Sequence, residues 1–334
     1  MRIAFLANAD NIHTRRWAEF LAGRGHEMHL LCDPPADSPP RGARLIHPEM
    51  NLLTKILAFK LFPRPYGNNF YKRFPYRREL DKLNPDIVHG FEALGYGYAL
   101  ASAGPRVKIL TPWGNDILHD ARRSAIARFL VTRALRSADV ITTNCPGLDI
   151  YLKKEFQIPE RKIRPFSWGV DLTVFHAGHK DAAARRRAEL GIPPDAPVIL
   201  SPRMMKPYWG IRVIAKALQS VMNQKRDVRA VFIRGAGDAS FEEEIRAGFA
   251  ASGLSGRVHF ITQYLSEKEV AEFFNMADAF VSCPESDLLS ITLLEGMACG
   301  CAPVLAELEA YKSRILHGKN GLFFPPGDSA ALAN

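Results

Sequence analysis

Apolar runs with the pattern of buried strands alternate with amphipathic segments along almost the whole chain. "RIAFLAN" (Arg2–Asn8) is typical of a buried strand, and Trp17, Phe20 and Leu21 follow at helical spacing up to Gly23. Further strands are predicted before residue 176, with helices between them: EMHLLCD, DIVHGF, VKILTPW and DVITTNC.

A second series of the same kind starts after a charged segment. Residues 176–197, HAGHKDAAARRRAELGIPPDAP, show little apolar periodicity, and we predict there an interdomain linker that contains a short helix. The strands predicted beyond it are PVILSPR, RAVFIRGAG, RVHFITQ and DAFVSC, and the helices between them start near Ile211, Phe241 and Ser266.

Buried strands separated by helices favour parallel sheets with crossover helices. The predicted fold is α/β, with two doubly wound Rossmann-like domains, residues 1–175 and 198–334, that face a central cleft. Ligands of such sheets bind beyond the carboxyl ends of the strands. The final segment, PPGDSAALAN, starts a helix at Asp328 or Ser329 that is too short to be stable alone, so we expect a C-terminal truncation of the second domain.

Composition favours a soluble protein that is made and kept in the cytosol. Of the 334 residues, 47% are hydrophobic and 24% charged, as in ordinary globular proteins. No apolar run approaches the ~18 residues of a membrane span, and the N-terminus turns polar too early for a signal peptide. The five cysteines are scattered without a C-x-x-C pair, which favours buried, reduced thiols over disulfides or a zinc site.

The net charge of +9 indicates an anionic partner without identifying it. The segment Thr54–Leu80 mixes lysine and arginine with aromatic side chains, which suits an anionic membrane surface or a phosphorylated acceptor. On that interpretation the protein would lie on the inner face of the membrane. Single-stranded nucleic acid is a less favoured partner, and the structural alternative is a helix pair whose basic side chains extend outwards to solvent.

Several motifs for cofactors and nucleophiles are absent from the sequence. The first strand is followed by NADNIH without a glycine, and GAGDAS (Gly235–Ser240) lacks the acidic residue that a dinucleotide site places about 20 positions later. There is neither a P-loop nor a G-x-S-x-G nucleophile motif. There is no D-x-D, only Glu285 and Asp287 in "ESD", and no histidine pair at H-x-x-x-H spacing, so we predict neither a metal nor a cofactor.

The stretch SDLLSITLLEGMACGCAPV (Ser286–Val304) supports two interpretations. In the structural one, Thr292 and Glu295 form a capping box at the start of a helix. Its core face would then consist of Ile291, Leu294 and Ala298. In the ligand-binding one, the hydroxyl-rich SDLLSIT follows a strand, so free N–H groups and a positive helix terminus would meet an anion. Glu295, one turn further on, could then accept the hydroxyls of a ribose.

The same stretch resembles the E-x7-E region of retaining GT-B glycosyltransferases of family 4. Other segments resemble that family in the same order along the chain: IHTRRWAEFLAGRGHEMHLL, NPDIVHGF, WGVDLTVF, SPRMMKPYWGIRVIAKAL and KNGLFFPPGD. The resemblance implies transfer of a sugar from a nucleotide-diphosphate donor to a glycan or lipid-linked acceptor, in polysaccharide or glycolipid assembly. It also implies that the second domain holds most of the donor and that no metal is required.

The resemblance gives three residues of the second domain a role in catalysis. Glu295 matches the second glutamate of the motif, which binds the donor ribose, and Asp287 matches the first, which is usually Glu and lies near the sugar hydroxyls. Arg203 matches the arginine that binds the diphosphate. The resemblance implies a reaction similar to a front-face displacement, in which the leaving diphosphate oxygen accepts the proton of the acceptor. Stabilisation of the departing diphosphate would then carry much of the catalysis.

Further donor contacts are implied beside these three. Hydroxyl or N–H groups for the diphosphate would come from Ser290, Ile291 and Thr292. Trp209 stands where the family has a lysine, and Lys206 is either its replacement or a solvated turn residue. Two glycines either let the backbone approach the donor or simply form a turn: Gly235 and Gly237.

The first domain departs further from the family pattern. Its candidates for the cleft and the acceptor are Asn11, His13, Asp116 and His119. Asn11 is equally a helix N-cap, and Asp116 and His119 are equally turn residues. Trp113 occupies the place of a histidine found in many relatives, and we predict that His89 is a buried strand residue.

Two other functions fit the same sequence. One is a non-catalytic GT-B protein that binds nucleotide sugars, which is favoured by the departures at Trp113, Trp209 and Asp287. The other keeps the GT-B fold but performs nucleotide-sugar epimerisation.

Overall fold

The computed structural model describes residues 1–33, 38–49, 67–235 and 237–334, with only the backbone for 67–73. The chain divides into two compact units, Met1–Ser167 and Trp168–Asn334. Residues 54–66 of the basic and aromatic segment Thr54–Leu80 lie outside the described residues and 67–73 are described only as backbone, so the membrane interpretation of that segment stays a prediction.

The first unit is built on a seven-stranded sheet in which every described pairing is parallel. Its strands lie in the order β3-β2-β1-β4-β5-β6-β7. They are β1 (Arg2–Leu6), β2 (Glu27–Leu31), β3 (Ala43–Ile46), β4 (Ile87–Phe91), β5 (Val107–Thr111), β6 (Val140–Thr143) and β7 (Ile163–Pro165). The helices are α1 (Ile12–Gly23), α2 (Gly67–Leu83), α3 (Tyr96–Leu100), α4 (Asn115–Leu118), α5 (Ala125–Ser137) and α6 (Pro146–Phe156).

The second unit repeats this plan with a six-stranded parallel sheet, ordered β10-β9-β8-β11-β12-β13. The strands are β8 (Val198–Ser201), β9 (Arg229–Ile233), β10 (Val258–Ile261), β11 (Ala279–Ser282), β12 (Ala302–Ala306) and β13 (Leu322–Phe324). The helices are α7 (Lys180–Glu189), α8 (Ile211–Gln224), α9 (Ala239–Ala251), α10 (Glu267–Met276), α11 (Ile291–Ala298) and α12 (Ser329–Ala333). Both strand orders reverse direction once, as in doubly wound Rossmann-like sheets, so the predicted fold class is confirmed.

The central strands β1, β4 and β9 are buried on both faces over all but their first residue, as their unbroken apolar runs predicted. Phe5 on β1 contacts Phe91 on β4 edge to face, with ring centres 4.9 Å apart, and Trp17 of α1 packs on Phe91 at 5.4 Å. His89 stacks on Phe91 at 4.2 Å and accepts or donates one hydrogen bond with Thr111 Oγ1 at 2.7 Å. The prediction that His89 is a buried strand residue is therefore confirmed.

Helix α8 shows how the sequence pattern sets the packing in the second unit. It begins at Ile211, as predicted, and its residues Ile214, Leu218 and Met222 follow at helical spacing on the buried side. That face packs into the same core cluster as Phe232 of β9. Each such aliphatic side chain contributes about 1.5–3 kcal/mol when fully buried.

The charged segment 176–197 belongs to the second unit, whose boundary lies between Ser167 and Trp168. Its helix α7 packs on α10 through ion pairs, with Arg186 Nε donating to Glu272 at 2.9 Å and Nη2 to Glu269 at 3.2 Å. Ala183 is the one buried residue of this helix, which explains why the segment carries almost no apolar period.

Short strands at or near the sheet edges were not predicted from the sequence. These are β3, β7 and β13, each of three or four residues, at positions where half-exposed side chains interrupt the apolar run. None of the helices within the described parts of the chain combines the length and apolar character that crossing a bilayer requires. All five cysteines are buried and none forms a disulfide, as predicted.

Candidate functional site

The residues predicted to bind the donor lie at the carboxyl ends of β8 and β11. These two strands are neighbours at the point where the strand order of the second sheet reverses, which is where doubly wound sheets bind ligands. Arg203 follows β8 by two residues, and Asp287 lies in the loop between β11 and α11. Residues distant in sequence are therefore brought together at one edge of the sheet.

Arg203 is the centre of this site. Its Nη2 donates to Asp287 Oδ2 at 2.5 Å, and its Nη1 donates to Ser290 Oγ at 2.8 Å and to Thr292 Oγ1 at 3.4 Å. The guanidinium also lies 3.7 Å from the centre of the Trp209 ring, within the range of a cation–π contact. The structure thus unites four sequence-predicted positions and gives Trp209 a defined contact.

Asp287 is fixed on its other side by Tyr311. The Tyr311 hydroxyl donates to Asp287 Oδ2 at 2.8 Å, and the Leu288 amide donates to Oδ1 at 2.9 Å. Burial, with Asp287 nearby, raises the pKa of Tyr311 well above its ordinary value, so this hydroxyl stays a neutral donor. Sequence reasoning missed Tyr311, because its short 3₁₀ turn carries no motif and the contact spans 24 positions.

The Arg203–Asp287 pair is nearly buried, with side-chain exposures of 10% and 16%. At this depth the loss of one partner would leave the other charge without compensation, which typically costs about 3–5 kcal/mol. The guanidinium also lies beside the first turn of α11, the positive end of that helix. Asp287 therefore offsets two sources of positive potential.

The predicted capping box in α11 is wrong. The N-cap is Ser290, without a side-chain capping bond, so Thr292 lies inside the helix and its hydroxyl accepts from Arg203. The predicted core face is also only partly right. Leu294 and Ala298 are half-buried, and the buried positions are Ile291, Leu293, Glu295 and Gly296. The reason is Gly296, where a Cβ would lie 2.5 Å from Phe280, so α11 turns this side to the sheet.

Glu295 lies one turn into α11 and is buried, with 9% exposure. Its carboxylate adds to the effect of burial in raising the pKa of Cys299 to about 11, so this thiol stays protonated at neutral pH. Gly300 has a φ of 77°, the left-handed conformation expected of the residue that ends the helix.

The remaining candidates of the second unit lie around the β8 loop. Lys206 is exposed at the start of the 3₁₀ turn Pro207–Trp209. Gly235 has a φ of 54°, and a Cβ on Gly237 would lie 2.6 Å from the Met205 backbone nitrogen. Gly237 is thus explained by the close approach of two backbone segments.

A second glycine fixes the two site loops against each other. Gly210 has a φ of 66°, and a Cβ there would lie 1.9 Å from the carbonyl oxygen of Cys283, just after β11. Tyr208, two residues earlier, donates its hydroxyl hydrogen to the Ser286 carbonyl oxygen at 2.5 Å. The loop that carries Arg203 and the loop that carries Asp287 therefore run side by side.

In the first unit, two of the four candidates have structural roles. Asn11 caps α1, its Oδ1 accepting from the His13 amide at 2.9 Å. Asp116 is buried and accepts from the amides of Ala93, Trp113 and Ile117 at 2.5, 3.1 and 3.0 Å. Burial raises the pKa of this carboxyl to about 6. The structural alternatives that the sequence left open for both residues are thus observed.

The two histidines differ in environment. His13 contacts the Trp113 ring edge to face, with centres 5.7 Å apart, and burial together with Arg16 lowers its pKa to about 4. His119 is about half exposed, and its Nδ1 lies 3.3 Å from Asp120 Oδ1. His13 is therefore neutral at physiological pH and can accept a proton only as a weak base.

The described residues contain no group of three or more His, Cys, Asp or Glu side chains placed to hold a metal ion. The metal-free chemistry implied by the resemblance stays a prediction, because a site can also be completed by a substrate phosphate.

Comparison with known proteins agrees with the fold and the motif order. Residues 183–334 match the family described as glycosyl transferases group 1, and residues 2–145 match the family described as glycosyl transferase 4-like. Residues 183–334 therefore belong to the glycosyl transferases group 1 family and residues 2–145 to the glycosyl transferase 4-like family, and the two matches together span most of the chain.

Curated relatives are distant and longer. The chain is 23% identical to D-inositol 3-phosphate glycosyltransferase of Corynebacterium efficiens over 218 residues, 64% of this chain and 51% of that protein. It is 25% identical to sulfoquinovosyl transferase SQD2 of Arabidopsis thaliana over 304 residues, 84% of this chain and 56% of that protein. The chain thus spans about half the length of these relatives.

Solved structures show the same fold at low identity. Sucrose-phosphate synthase of Thermosynechococcus elongatus superposes with a TM-score of 0.80 at 19% identity, covering 100% of this chain and 88% of that one. HepE of Anabaena, in complex with UDP-glucose, gives 0.76 at 17% identity, with the same coverage of 100% and 88%.

Proposed function

We propose that this chain transfers a sugar, with retention of configuration, from a nucleotide-diphosphate donor to a glycan or lipid-linked acceptor. The observation that carries the proposal is the convergence of Arg203 with the N-terminal turn of α11 at the switch point of the second sheet. A guanidinium beside free helix N–H groups is suited to bind phosphate oxygens. The likeness to HepE, which binds UDP-glucose, supports the donor class.

In this proposal the donor lies along the site from the ribose to the sugar. Glu295 binds the ribose hydroxyls, and Asp287 lies near the hydroxyls of the transferred sugar. Arg203 and Lys206 face the diphosphate. Hydroxyl and amide groups for the same phosphates come from the start of α11: Ser290, Ile291 and Thr292. Gly235 and Gly237 keep the neighbouring backbone free of side chains.

The reaction needs no metal and no cofactor in this scheme. The bond between the anomeric carbon and the diphosphate oxygen breaks, and a new bond forms from that carbon to the acceptor oxygen on the same face. The acceptor proton moves to the departing diphosphate oxygen. The protein's contribution is to stabilise the charge that develops on the diphosphate, which Arg203 and the positive end of α11 can do.

For the acceptor side we propose His13 and His119 as the polar contacts in the first unit. Asn11 and Asp116 contribute indirectly, because their side chains hold α1 and the loop after β5 in place. His13 donates or accepts as a neutral imidazole, since burial holds its pKa at about 4.

The acceptor can be lipid-linked, and we propose that the protein lies peripherally on the cytoplasmic face of a membrane. The outer face of α5 supports this, where Ile126, Phe129, Arg133 and Arg136 recur at helical spacing and are all exposed. Ile126 is 40% and Phe129 57% exposed, and α5 contains no acidic residue. Apolar anchors among arginines suit an anionic lipid surface.

A second candidate function is binding of a nucleotide sugar without transfer. It is favoured by the engagement of Arg203 with Asp287 and by Trp209 on the face of its guanidinium. A site whose cation is already compensated offers less net charge to a departing diphosphate. Epimerisation on the same fold remains a third hypothesis without an observation of its own.

A donor panel followed by a product assay separates these functions. Nucleotide sugars are first screened by thermal shift, and product formation with a lipid extract is then measured for each binder. We expect turnover in the wild type and a loss of about 10- to 100-fold in kcat/KM for Glu295→Ala, the equivalent of one charge-assisted hydrogen bond.

Glu243→Ala is the matched control, since Glu243 is an exposed helical glutamate of α9 in the same unit. It should retain full turnover, and both variants should keep the wild-type unfolding temperature within a few degrees. Binding without turnover in the wild type would favour the second candidate. Turnover that is insensitive to Glu295→Ala would contradict the role given to this residue.

A further inference from the structure

Both Nη atoms of the Arg203 guanidinium already have hydrogen-bond partners inside the protein. Nη2 donates to Asp287, Nη1 donates to Ser290 and Thr292, and the flat face lies on Trp209. The third guanidinium nitrogen, the buried Nε, has no hydrogen-bond partner among the described residues. An incoming phosphate therefore has to compete with Asp287 for this cation.

Asp287 cannot simply swing away when it loses the guanidinium. Its Oδ2 also accepts from the Tyr311 hydroxyl, and its Oδ1 accepts from the Leu288 amide. Tyr311 is fully buried, so its hydroxyl is a fixed point. After separation from Arg203 the Asp287 carboxylate would remain in the site, because Tyr311 and the Leu288 amide still donate to it. The lone pair of Oδ2 that had accepted from Arg203 would then be without a donor.

We infer that Asp287 is a built-in competitor for the phosphate site, and that Tyr311 is the positioning residue that keeps it there. This inference rests on the proposed donor site and adds a basis for its specificity. A ligand with phosphate alone binds the Arg203 guanidinium in place of Asp287, and the Asp287 carboxylate is then left without a compensating positive charge. A ligand that carries both a diphosphate and sugar hydroxyls satisfies both groups, because a hydroxyl can donate to Asp287.

The consequence is discrimination between the complete donor and free anions. Inorganic pyrophosphate and the nucleotide product should bind weakly to the wild type, which favours release of the product after transfer. The difference in affinity between the complete donor and free anions should depend on the charge at position 287, because Asp287 is the carboxylate in contact with Arg203. It should not depend on the net charge of the loop.

Inorganic pyrophosphate is the test ligand, because it carries the anion without base or sugar. Its dissociation constant is measured by calorimetry at fixed low salt for the wild type, Asp287→Asn and Glu285→Gln. Glu285 is an exposed carboxylate two positions away, so its substitution removes the same charge from the same loop. We expect Asp287→Asn to bind pyrophosphate about tenfold or more tightly than the wild type, and Glu285→Gln to change it by less than about twofold.

Equal or weaker binding by Asp287→Asn, or an equal gain in both variants, would overturn the inference. Thermal unfolding checks that the Asn variant is folded. If it is not, a crystal structure of the wild type with pyrophosphate decides the question. It should show the Arg203–Asp287 contact broken and the Tyr311–Asp287 bond kept, whereas pyrophosphate on Arg203 with the ion pair intact would refute the competition.

This experiment is independent of the product assay. If no nucleotide sugar is turned over but Asp287→Asn still binds pyrophosphate more tightly, the proposed function fails and the competition stands. If transfer is observed and the pyrophosphate affinities of the wild type and Asp287→Asn are equal, the function stands and the competition fails.

Discussion

At the scale of single residues, the buried polar groups near the strand ends are of two kinds: some only stabilise the fold, and others can also bind a ligand. Asp116 uses both carboxylate oxygens on backbone amides of nearby turns, and His89 shares its one hydrogen bond with Thr111 within the sheet. Arg203 and Asp287 instead bond to each other across 84 positions in the sequence. A buried polar residue thus indicates a ligand site only after its partners inside the protein are known.

His89 makes the stability of the protein depend on pH. Burial lowers its pKa to about 3 in the folded protein, against about 6.5 when unfolded. The unfolded state therefore binds more protons below pH 6.5, so the stability that neutral His89 contributes is present above pH 6.5 and is lost as pH falls towards 3. Between pH 7 and 5 this loss is roughly 2 kcal/mol.

Denaturant unfolding of the wild type and His89→Gln at both pH values measures this effect. Glutamine can still hydrogen-bond but does not titrate, so the variant should be less stable at pH 7 and should lose roughly 2 kcal/mol less than the wild type between pH 7 and 5. His13, whose pKa is also lowered, is present in both proteins and cancels in the difference. Parallel pH profiles would show that His89 is not the group responsible.

At the scale of elements, the site depends on how closely two loops run together. The loop after β8 reaches the loop after β11 because Gly210 takes a left-handed conformation and has no Cβ against the Cys283 carbonyl oxygen. Tyr208 adds a bond to Ser286 across the same gap. These contacts position Arg203 beside Asp287, so the geometry of the ion pair is set by backbone packing.

Gly210→Ala should therefore be much more disruptive than the same change elsewhere. A Cβ at 1.9 Å from an oxygen forces the backbone apart, and the left-handed φ adds strain, so we expect a loss of roughly 2–5 kcal/mol in the free energy of unfolding. The matched control is Gly253→Ala, which has a similar φ of 68° but no atom within 4 Å.

The control should lose only the conformational part, about 1–2 kcal/mol. Urea unfolding of both variants separates strain from steric clash, and pyrophosphate affinity reports the effect on the site. Equal losses for the two substitutions would show that Gly210 is needed only for its φ and that close packing of the loops is unimportant.

The outer face of α5 offers a second prediction at this scale. Flotation with vesicles of phosphatidylglycerol should carry the wild type upwards, whereas Phe129→Ser combined with Arg133→Glu should reduce the bound fraction several-fold, because it removes an apolar anchor and reverses a charge worth about 1 kcal/mol at the surface. Phe20→Ser is the control, since Phe20 is 61% exposed on α1. Equal binding to neutral phosphatidylcholine vesicles would contradict the electrostatic part of the proposal.

At the scale of the whole molecule, two sheets of the same plan are recognisable from the sequence. Parallel strands buried on both faces must be apolar throughout, and their crossover helices must be amphipathic, so β1, β4, β5, β8 and β9 could be predicted from local pattern alone. The short strands β3, β7 and β13 could not, because neighbouring strands and not their own residues define them. The boundary between the units at Ser167 and Trp168 also has no local signal.

What the sequence by itself determined is the fold class, the order of the motifs, and the positions of Arg203 and Asp287 after strands and of Glu295 in the helix that follows. Each of these follows from interactions between residues that are close in the chain. Only the tertiary structure decided that Asp287 pairs with Arg203, that Tyr311 holds it and that Thr292 does not cap its helix. These contacts join segments that are distant in sequence, and their geometry is set by the burial and backbone packing that fix which side chains meet.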